Sequence, residues 1–258
     1  MIIDFHTHVK LSKKSPFMPD YFRQMMAEAK ESGLTAIALT EHFNTTRWED
    51  IYDFLDAEYP YRSGHYEAEG MKVFPGIEVD VRENGHVLLV GGREEIRAIR
   101  AALEGHLTEG NFIPFEGLMD LAEARDMLKI GGHPFRDSTP LALNVPAEQL
   151  KRLDALDLNG KDLHVKGPEV CRREVQELSY TIGVPVVGGS DTHQFLQYGT
   201  VKNHFDDECE NSDDLKKAIA AWNYRIDLSD QLDLKVRAAT LVKKYMKQCL
   251  EEKEVISL

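Results

Sequence analysis

Cysteine is scarce in this chain: Cys171, Cys209 and Cys249 are far apart and form no Cys-x-x-Cys pair. An odd, dispersed set builds neither a disulfide framework nor a zinc knuckle, so the thiols are read as reduced. Long apolar runs are missing as well. No stretch approaches the roughly 20 apolar residues of a membrane-spanning helix, and the opening Met-Ile-Ile-Asp-Phe lacks the basic segment of a signal peptide. Cytoplasm is the expected location, with no membrane partner. Internal repeats, low-complexity tracts and Gly/Ser linkers are absent, which favours one domain over two. Positive charge is in deficit, since 31 Lys and Arg face 44 Asp and Glu for a net charge of −13. A surface of that sign repels polyanions at long range, so duplex nucleic acid is not expected as the main partner.

What the sequence does have is ten histidines and a steady alternation of apolar runs with amphipathic ones. Ile2 to Phe5 reads as a strand that runs into His6-Thr7-His8. Pro19 and Asp20 open a helix carrying Phe22, Met25, Met26 and Ala29 on one face. Thr35 to Thr40 is a second strand, ending in Glu41-His42. Residues 44–70 read as a helical excursion and a loop, rich in aromatics (Trp48, Tyr52, Tyr59, Tyr61) that either pack or cover a site. Lys72 to Val79 delivers Glu78. His86 to Gly92 is a Val/Leu run, followed by helices at Glu94 to Glu104 and Gly117 to Leu128. The strand at Lys129 ends at His133-Pro134. The runs Asp154 to Leu158 and Val184 to Gly188 flank a helix at Pro168 to Ile182, and the second ends at Ser190-Asp191-Thr192-His193. Two helical patterns close the chain, Asp213 to Trp222 and Leu234 to Leu250. The latter is expected to dock through Ala238, Leu241, Val242, Tyr245 and Cys249.

Strand alternating with helix about seven times implies a parallel sheet, open or closed. Ionisable residues fall at the ends of successive strands, and only a closed barrel gathers such ends on one face, where barrel active sites lie. Imidazole and carboxylate suit zinc, manganese or iron. His-x-His on a strand end puts both rings on one side, Asp191 and His193 repeat that spacing, and Glu78 can bridge two ions.

The ordered set Asp4-Phe5-His6-Thr7-His8, Thr40-Glu41-His42, Gly76-Ile77-Glu78, His86-Val87-Leu88, His133-Pro134 and Gly189-Ser190-Asp191-Thr192-His193 resembles the PHP superfamily, named for polymerase and histidinol phosphatase. The resemblance implies a distorted (β/α)7 TIM-like barrel with two or three divalent metals at the C-terminal face of its strands. It implies one barrel domain over 1–258, with the core at 1–205 and a helical extension at 206–258. His6, His8, Glu78 and Asp191 would hold one ion, and Glu78, His86 and His133 a second. His42 and His193 would belong to a third. Where relatives commonly have Ser-Asp-Gly this chain has Ser12-Lys13-Lys14, which takes a ligand from the third site unless a residue such as Asp20 replaces it. Thr-Glu-His stands where Thr-Asp-His is usual, giving Glu41 a role in orienting His42 or a neighbour.

The implied activity is hydrolysis of a phosphate ester of a small molecule or nucleotide by metal-activated hydroxide. His193 or His42 would then serve as proton donor near the leaving group, and Arg136 would grip a phosphate oxygen, with Arg47, Lys10 and Lys13 as weaker candidates. The alternatives are an amidohydrolase-like hydrolase of another bond and a non-catalytic metal-binding regulatory domain.

Overall fold

The computed structural model describes residues 1–256, with side chains to residue 251; the last two residues of the expected extension, 257–258, lie outside the described residues. The chain opens with strand β1 (Ile2–Thr7) and helix α1 (Pro19–Glu31). Proline sits in the first turn of α1 and Tyr21, Phe22, Met25, Met26 and Ala29 are buried along one side. Next come β2 (Ala36–Leu39), α2 (Glu49–Glu58), a short hairpin of β3 (Tyr61–Arg62) and β4 (His65–Ala68), β5 (Met71–Val81), β6 (Gly85–Val90), α3 (Arg93–Ala102) and α4 (Phe115–Glu123). Beyond these are β7 (Leu128–Gly132), two single-turn helices α5 (Leu141–Asn144) and α6 (Ala147–Leu150), β8 (Ala155–Asn159), α7 (Gly160–Lys166), α8 (Pro168–Ile182) and β9 (Val186–Gly189). The chain closes with β10 (Val201–Phe205), α9 (Ser212–Ala220), β11 (Tyr224–Leu228) and α10 (Leu232–Ile256).

The main sheet runs β11-β10-β1-β2-β5-β6-β7-β8-β9. Its far end returns to its middle: Thr7 bridges Thr192 in parallel, and Asp191 N–H donates to the His6 carbonyl at 2.8 Å. The result is a mixed α/β fold with a nearly closed, barrel-shaped sheet, a distorted TIM-like barrel. Residue parity then decides the interior. Ala36, Ala38, Phe74, Leu88, Val90, Leu128, Ile130, Ala155 and Val187 form one buried cluster drawn from six strands. Continuing five of these strands by steps of two toward the other end reaches His42, Glu78, His86, Asp157 and Asp191. The barrel is thus apolar at its floor, which α9 closes with Leu215 and Ile219, and ionisable at its mouth.

Three features depart from the sequence expectations. The sheet is not wholly parallel, because β6 runs antiparallel to both β5 and β7. Only Arg82 to Asn84 link β5 to β6, too few for a parallel crossover, which needs about a dozen residues; Asn84 makes the turn at φ +57°. The region 44–70 contains the β3–β4 hairpin, turned by Ser63 and Gly64 at positive φ; within this region Trp48 and Tyr52 are buried and packed on each other. Finally, the segment after residue 205 is not only helical, since β11 pairs with β10. Helix α10 also docks on a partly different stripe: Leu232, Val236 and Ala239 are buried and Ala238 and Val242 half-buried, whereas Leu241, Tyr245 and Cys249 are exposed. That rotation turns Lys243 and Lys247 toward the barrel mouth. Among the described residues no helix is long and apolar enough to cross a membrane.

Candidate metal centre

The structure brings His6, His8, His42, Glu78, His86, His133, Asp191 and His193 to one point at the barrel mouth. The reversal of β6 accounts for His86: it begins its strand, but an antiparallel strand starts where its parallel neighbours end. His6 is admitted by a shift in the β1–β2 register between Asp4 and Thr7, which breaks the period-two alternation after Phe5. Gly189 makes the adjoining space, since a Cβ there would lie 2.4 Å from the His6 Cβ and 2.7 Å from Asp157 Oδ1. Two of the eight, His133 at φ +29° and Asp191 at φ +57°, hold left-handed backbones. L residues adopt these only where the surroundings impose them.

Glu78 is the hub. Its Oε1 lies 3.3 Å from His6 Nε2, 2.7 Å from His86 Nδ1 and 3.4 Å from His133 Nε2. Its Oε2 lies 3.4 Å from His8 Nε2 and 2.6 Å from His42 Nδ1. Asp191 Oδ1 completes the ring at 3.3 Å from His8 Nε2 and 3.7 Å from His6 Nε2. Four sets of three ligand atoms lie close enough to share an ion: His8-His42-His193, His6-His8-Glu78, His6-His133-Asp191 and Glu78-His86-His133.

Hydrogen bonding on the outer ring edges fixes which nitrogens face inward. His6 Nδ1 donates to Asp157 Oδ2 at 2.9 Å, and His193 Nδ1 to the Lys10 carbonyl at 2.9 Å. His8 Nδ1 faces Glu41 Oε1 at 3.6 Å. Glu41 therefore stands behind the His8 ring, while also accepting the backbone N–H groups of Val9, Lys10 and His42. This arrangement turns lone pairs of His6 and His193 toward the centre. His6 Nε2, His8 Nε2, His42 Nδ1 and Glu78 Oε2 are buried without a hydrogen-bond partner. Imidazole lone pairs facing carboxylate oxygens repel unless a cation lies between them, so these residues fit divalent metal of the type that accepts nitrogen and oxygen together.

The titration behaviour agrees with a site short of positive charge. Burial opposes protonation of His6, but Glu78 and Asp191 outweigh it and hold its pKa well above the imidazole range. Burial likewise opposes protonation of His86, yet Glu78 and Asp80 push it up to about 9. His133, which shares Glu78 Oε1 with His86, is pushed down to about 3 by burial and by Arg136. Burial also holds His193 well below its usual range, with His8 and Lys243 adding to the effect.

Several residues around the centre were passed over in the sequence. Asp157, inside the apolar run of β8, orients His6; a carboxylate in a buried strand was the available signal. Asp80, two residues after Glu78 and so on the same face, contacts His86 Nε2 at 2.6 Å and Lys13 Nζ at 2.8 Å. Lys13 thus stands beside an acid where the usual motif would supply one. Asp20 is fully exposed and pairs with Arg23, so it takes no part. Arg47 pairs with Asp50 at the surface, and Lys10 is buried, bonded to the Thr46 carbonyl. Arg136 borders the cavity, but its Nε and Nη2 are committed to Asp162, Asn159 and Asp191 at 2.8 to 3.1 Å.

Replacing Asp157 by Asn is expected to weaken divalent-metal affinity about 10–100-fold, the usual effect of removing a carboxylate that orients a ligand. Competition with a chromogenic chelator measures it, and unchanged affinity would mean that the His6 tautomer does not depend on Asp157.

Comparison with known proteins adds three findings. Residues 4–129 match the sequence model of the PHP domain, a span that holds His6, His8, His42, Glu78 and His86 but not His133, Asp191 or His193. The fold is similar to that of PsfC from Pseudomonas syringae PB-5123, with a TM-score of 0.78 at 20% identity over 95% of this chain and 98% of that one. It is also similar to the lesion-specific endonuclease PfuEndoQ from Pyrococcus furiosus, with a TM-score of 0.62 at 18% identity over 88% of this chain and 58% of that one. An Endonuclease Q complex with a 27-mer duplex substrate, with an abasic lesion at the active site, aligns at 0.61 and 19% identity over 86% of this chain and 57% of that one. At these identities the likeness is one of fold. No curated protein sequence matches the chain.

Proposed function

This chain carries a PHP domain with the histidine and carboxylate cluster of a metal-dependent hydrolase, and on that premise we propose that it hydrolyses a phosphate ester of a small molecule. The observation that carries the proposal is the division of labour at Glu78, whose two oxygens face different sets of imidazoles. A carboxylate so placed suits a pair of ions about 3.5–4 Å apart. Zinc, manganese or iron held by His6, His8, Glu78, His86, His133 and Asp191, with His42 and His193 for a third ion, would lower the pKa of water and offset charge on the phosphoryl group.

The chain's own residues do the rest. Asp157, Glu41 and the Lys10 carbonyl keep the imidazoles in register. Tyr21 donates its hydroxyl to the His193 carbonyl at 3.0 Å, and Gln197 Nε2 reaches the Asp191 carbonyl at 3.5 Å, holding the loop that presents both. Of the two histidines assigned as proton donors, His193 suits a neutral ligand nitrogen better, because its Nδ1 proton is already engaged and burial disfavours a second. Arg136 fixes Asp191 and turns its remaining edge to the cavity.

The proposal treats residues 1–258 as one unit, in which the segment after 205 closes the barrel floor and walls the site. The whole-chain charge of −13 weighs less against nucleic acid than the sequence suggested, because the wall of the mouth is basic. Action on lesion-bearing DNA belongs to a protein of which this chain spans 58%. The purified protein, loaded with manganese, is expected to hydrolyse a generic aryl phosphate, and His8→Ala to lose that activity. Equal rates in the two would sink the proposal.

A further inference from the structure

The cavity at the barrel mouth is larger than the metal cluster requires. It encloses about 550 Å³, within the roughly 300–1,000 Å³ that small-molecule sites occupy. One end is formed by His42, Glu78, His86, Asp191 and His193. The same cavity is also lined by Lys161 at the start of α7 and by Lys243, Lys244 and Lys247 of α10. Positions 243 and 247 lie one turn apart, so their side chains neighbour each other on one helix face.

What sets these lysines apart is that they gather on one cavity. Among the described residues none of the four ammonium groups is ion-paired, whereas Lys13, Lys72, Lys129, Lys151, Lys166 and Lys216, scattered over the molecule, each contact a carboxylate. Among the described residues Glu251 is the one acidic side chain beside them in that lining. Burial lowers the Lys243 pKa to about 8, with Asp191 and Glu41 acting the other way and Lys161 and Lys247 adding to the fall. Lys161 and Lys244 are exposed and Lys243 and Lys247 half-buried, and gathering like charges with some of them drawn partly out of water is unfavourable unless an anion joins them. A phosphoryl group at the histidine end would be neutralised by the metals there and would leave the lysine wall without a counter-charge.

Building on the phosphoesterase reading, we propose that the substrate is a small molecule with two anionic groups: a phosphate ester at the metal cluster and a second phosphate or carboxylate held by Lys161, Lys243 and Lys247. The C-terminal helix is thus the specificity element of the site. Because α10 stands across the mouth, the second group belongs to a compact molecule rather than to a duplex.

Binding of phosphonates, which are not hydrolysed, tests this without relying on turnover. Calorimetry on the metal-loaded protein would compare a short-chain α,ω-diphosphonate, the matching ω-carboxyalkylphosphonate and the plain alkylphosphonate. At least one two-anion probe is expected to bind about tenfold or more tightly than the alkylphosphonate, and the two arms separate phosphate from carboxylate. In the Lys243→Gln/Lys247→Gln variant that preference is expected to fall to about twofold. Lys243→Arg/Lys247→Arg should restore it, which excludes mere misfolding. Equal binding of all three probes, or an unchanged preference in the glutamine variant, would overturn the inference. So would displacement of the two-anion probe by duplex DNA at lower concentration than by the probe itself. Because no ester bond is broken, loss of the phosphoesterase reading would appear separately, as absent turnover with the preference intact.

Discussion

Glu78→Gln is expected to abolish divalent-metal retention and to lower phosphate-ester hydrolysis by about 10³-fold or more, beyond the roughly 10–100-fold typical of a residue that only orients a ligand. The substitution keeps the shape of the side chain and removes its charge. Five histidines meet this one carboxylate; against burial, the charges of His42, His86 and His6 and a hydrogen bond from His133 hold its pKa well below the usual carboxylate range. Glutamine offers one oxygen to a site built on two, and its NH₂ group would face imidazole lone pairs or a cation. Metal content per chain and steady-state rates on an aryl phosphate measure the effect. A variant that keeps wild-type metal content would show that Glu78 does not bridge.

Arg136→Met is expected to destabilise the fold by about 3–5 kcal/mol, the usual result of removing one partner from a buried ion pair. At about 2–4 °C per kcal/mol for a chain of this size class, the thermal midpoint should fall by roughly 6–20 °C. The guanidinium, 15% exposed, sits among Asp162, Asn159 and Asp191, forking onto both Asp162 oxygens. Burial raises the Asp162 pKa, and Arg136 is what opposes that rise. Metal can offset the loss at Asp191 but not at Asp162, so a deficit should persist in the loaded protein. Lysine cannot reproduce the fork, so Arg136→Lys should fall between the two. Circular dichroism melts with and without manganese measure this. A loss below about 1 kcal/mol, as for a surface pair, together with weaker substrate binding would instead make Arg136 chiefly a ligand group.

Much of the centre is legible along the chain because nearly every ligand closes an apolar run and carries its own chemical signature. His6, His8 and Glu78 announce themselves in this way. Asp157 does not, since its role depends on β8 lying opposite His6, a pairing of residues 151 positions apart. The position of His86 looks wrong in a parallel sheet and becomes right once β6 is reversed. The short link at Arg82 to Asn84 already required that reversal, but periodicity does not reveal strand direction. The docking face of α10 was misplaced for a related reason. Two apolar stripes run along that helix, and periodicity by itself does not say which of them meets the body of the protein.

The sequence by itself determined most of the barrel's elements, their alternation of strand and helix, and the inventory of nitrogen and oxygen ligands, because local periodicity and side-chain chemistry are properties of neighbouring residues. The tertiary structure alone decided how those ligands divide between the two oxygens of Glu78, which carboxylates stand behind which imidazoles, and that a basic wall faces the metal centre. These relations join residues up to some two hundred positions apart. They arise only when the sheet curls until Asp191 meets His6 and α10 lies across the opening. The same closure qualifies the net charge, since a sum over 258 residues carries no information about where four lysines gather.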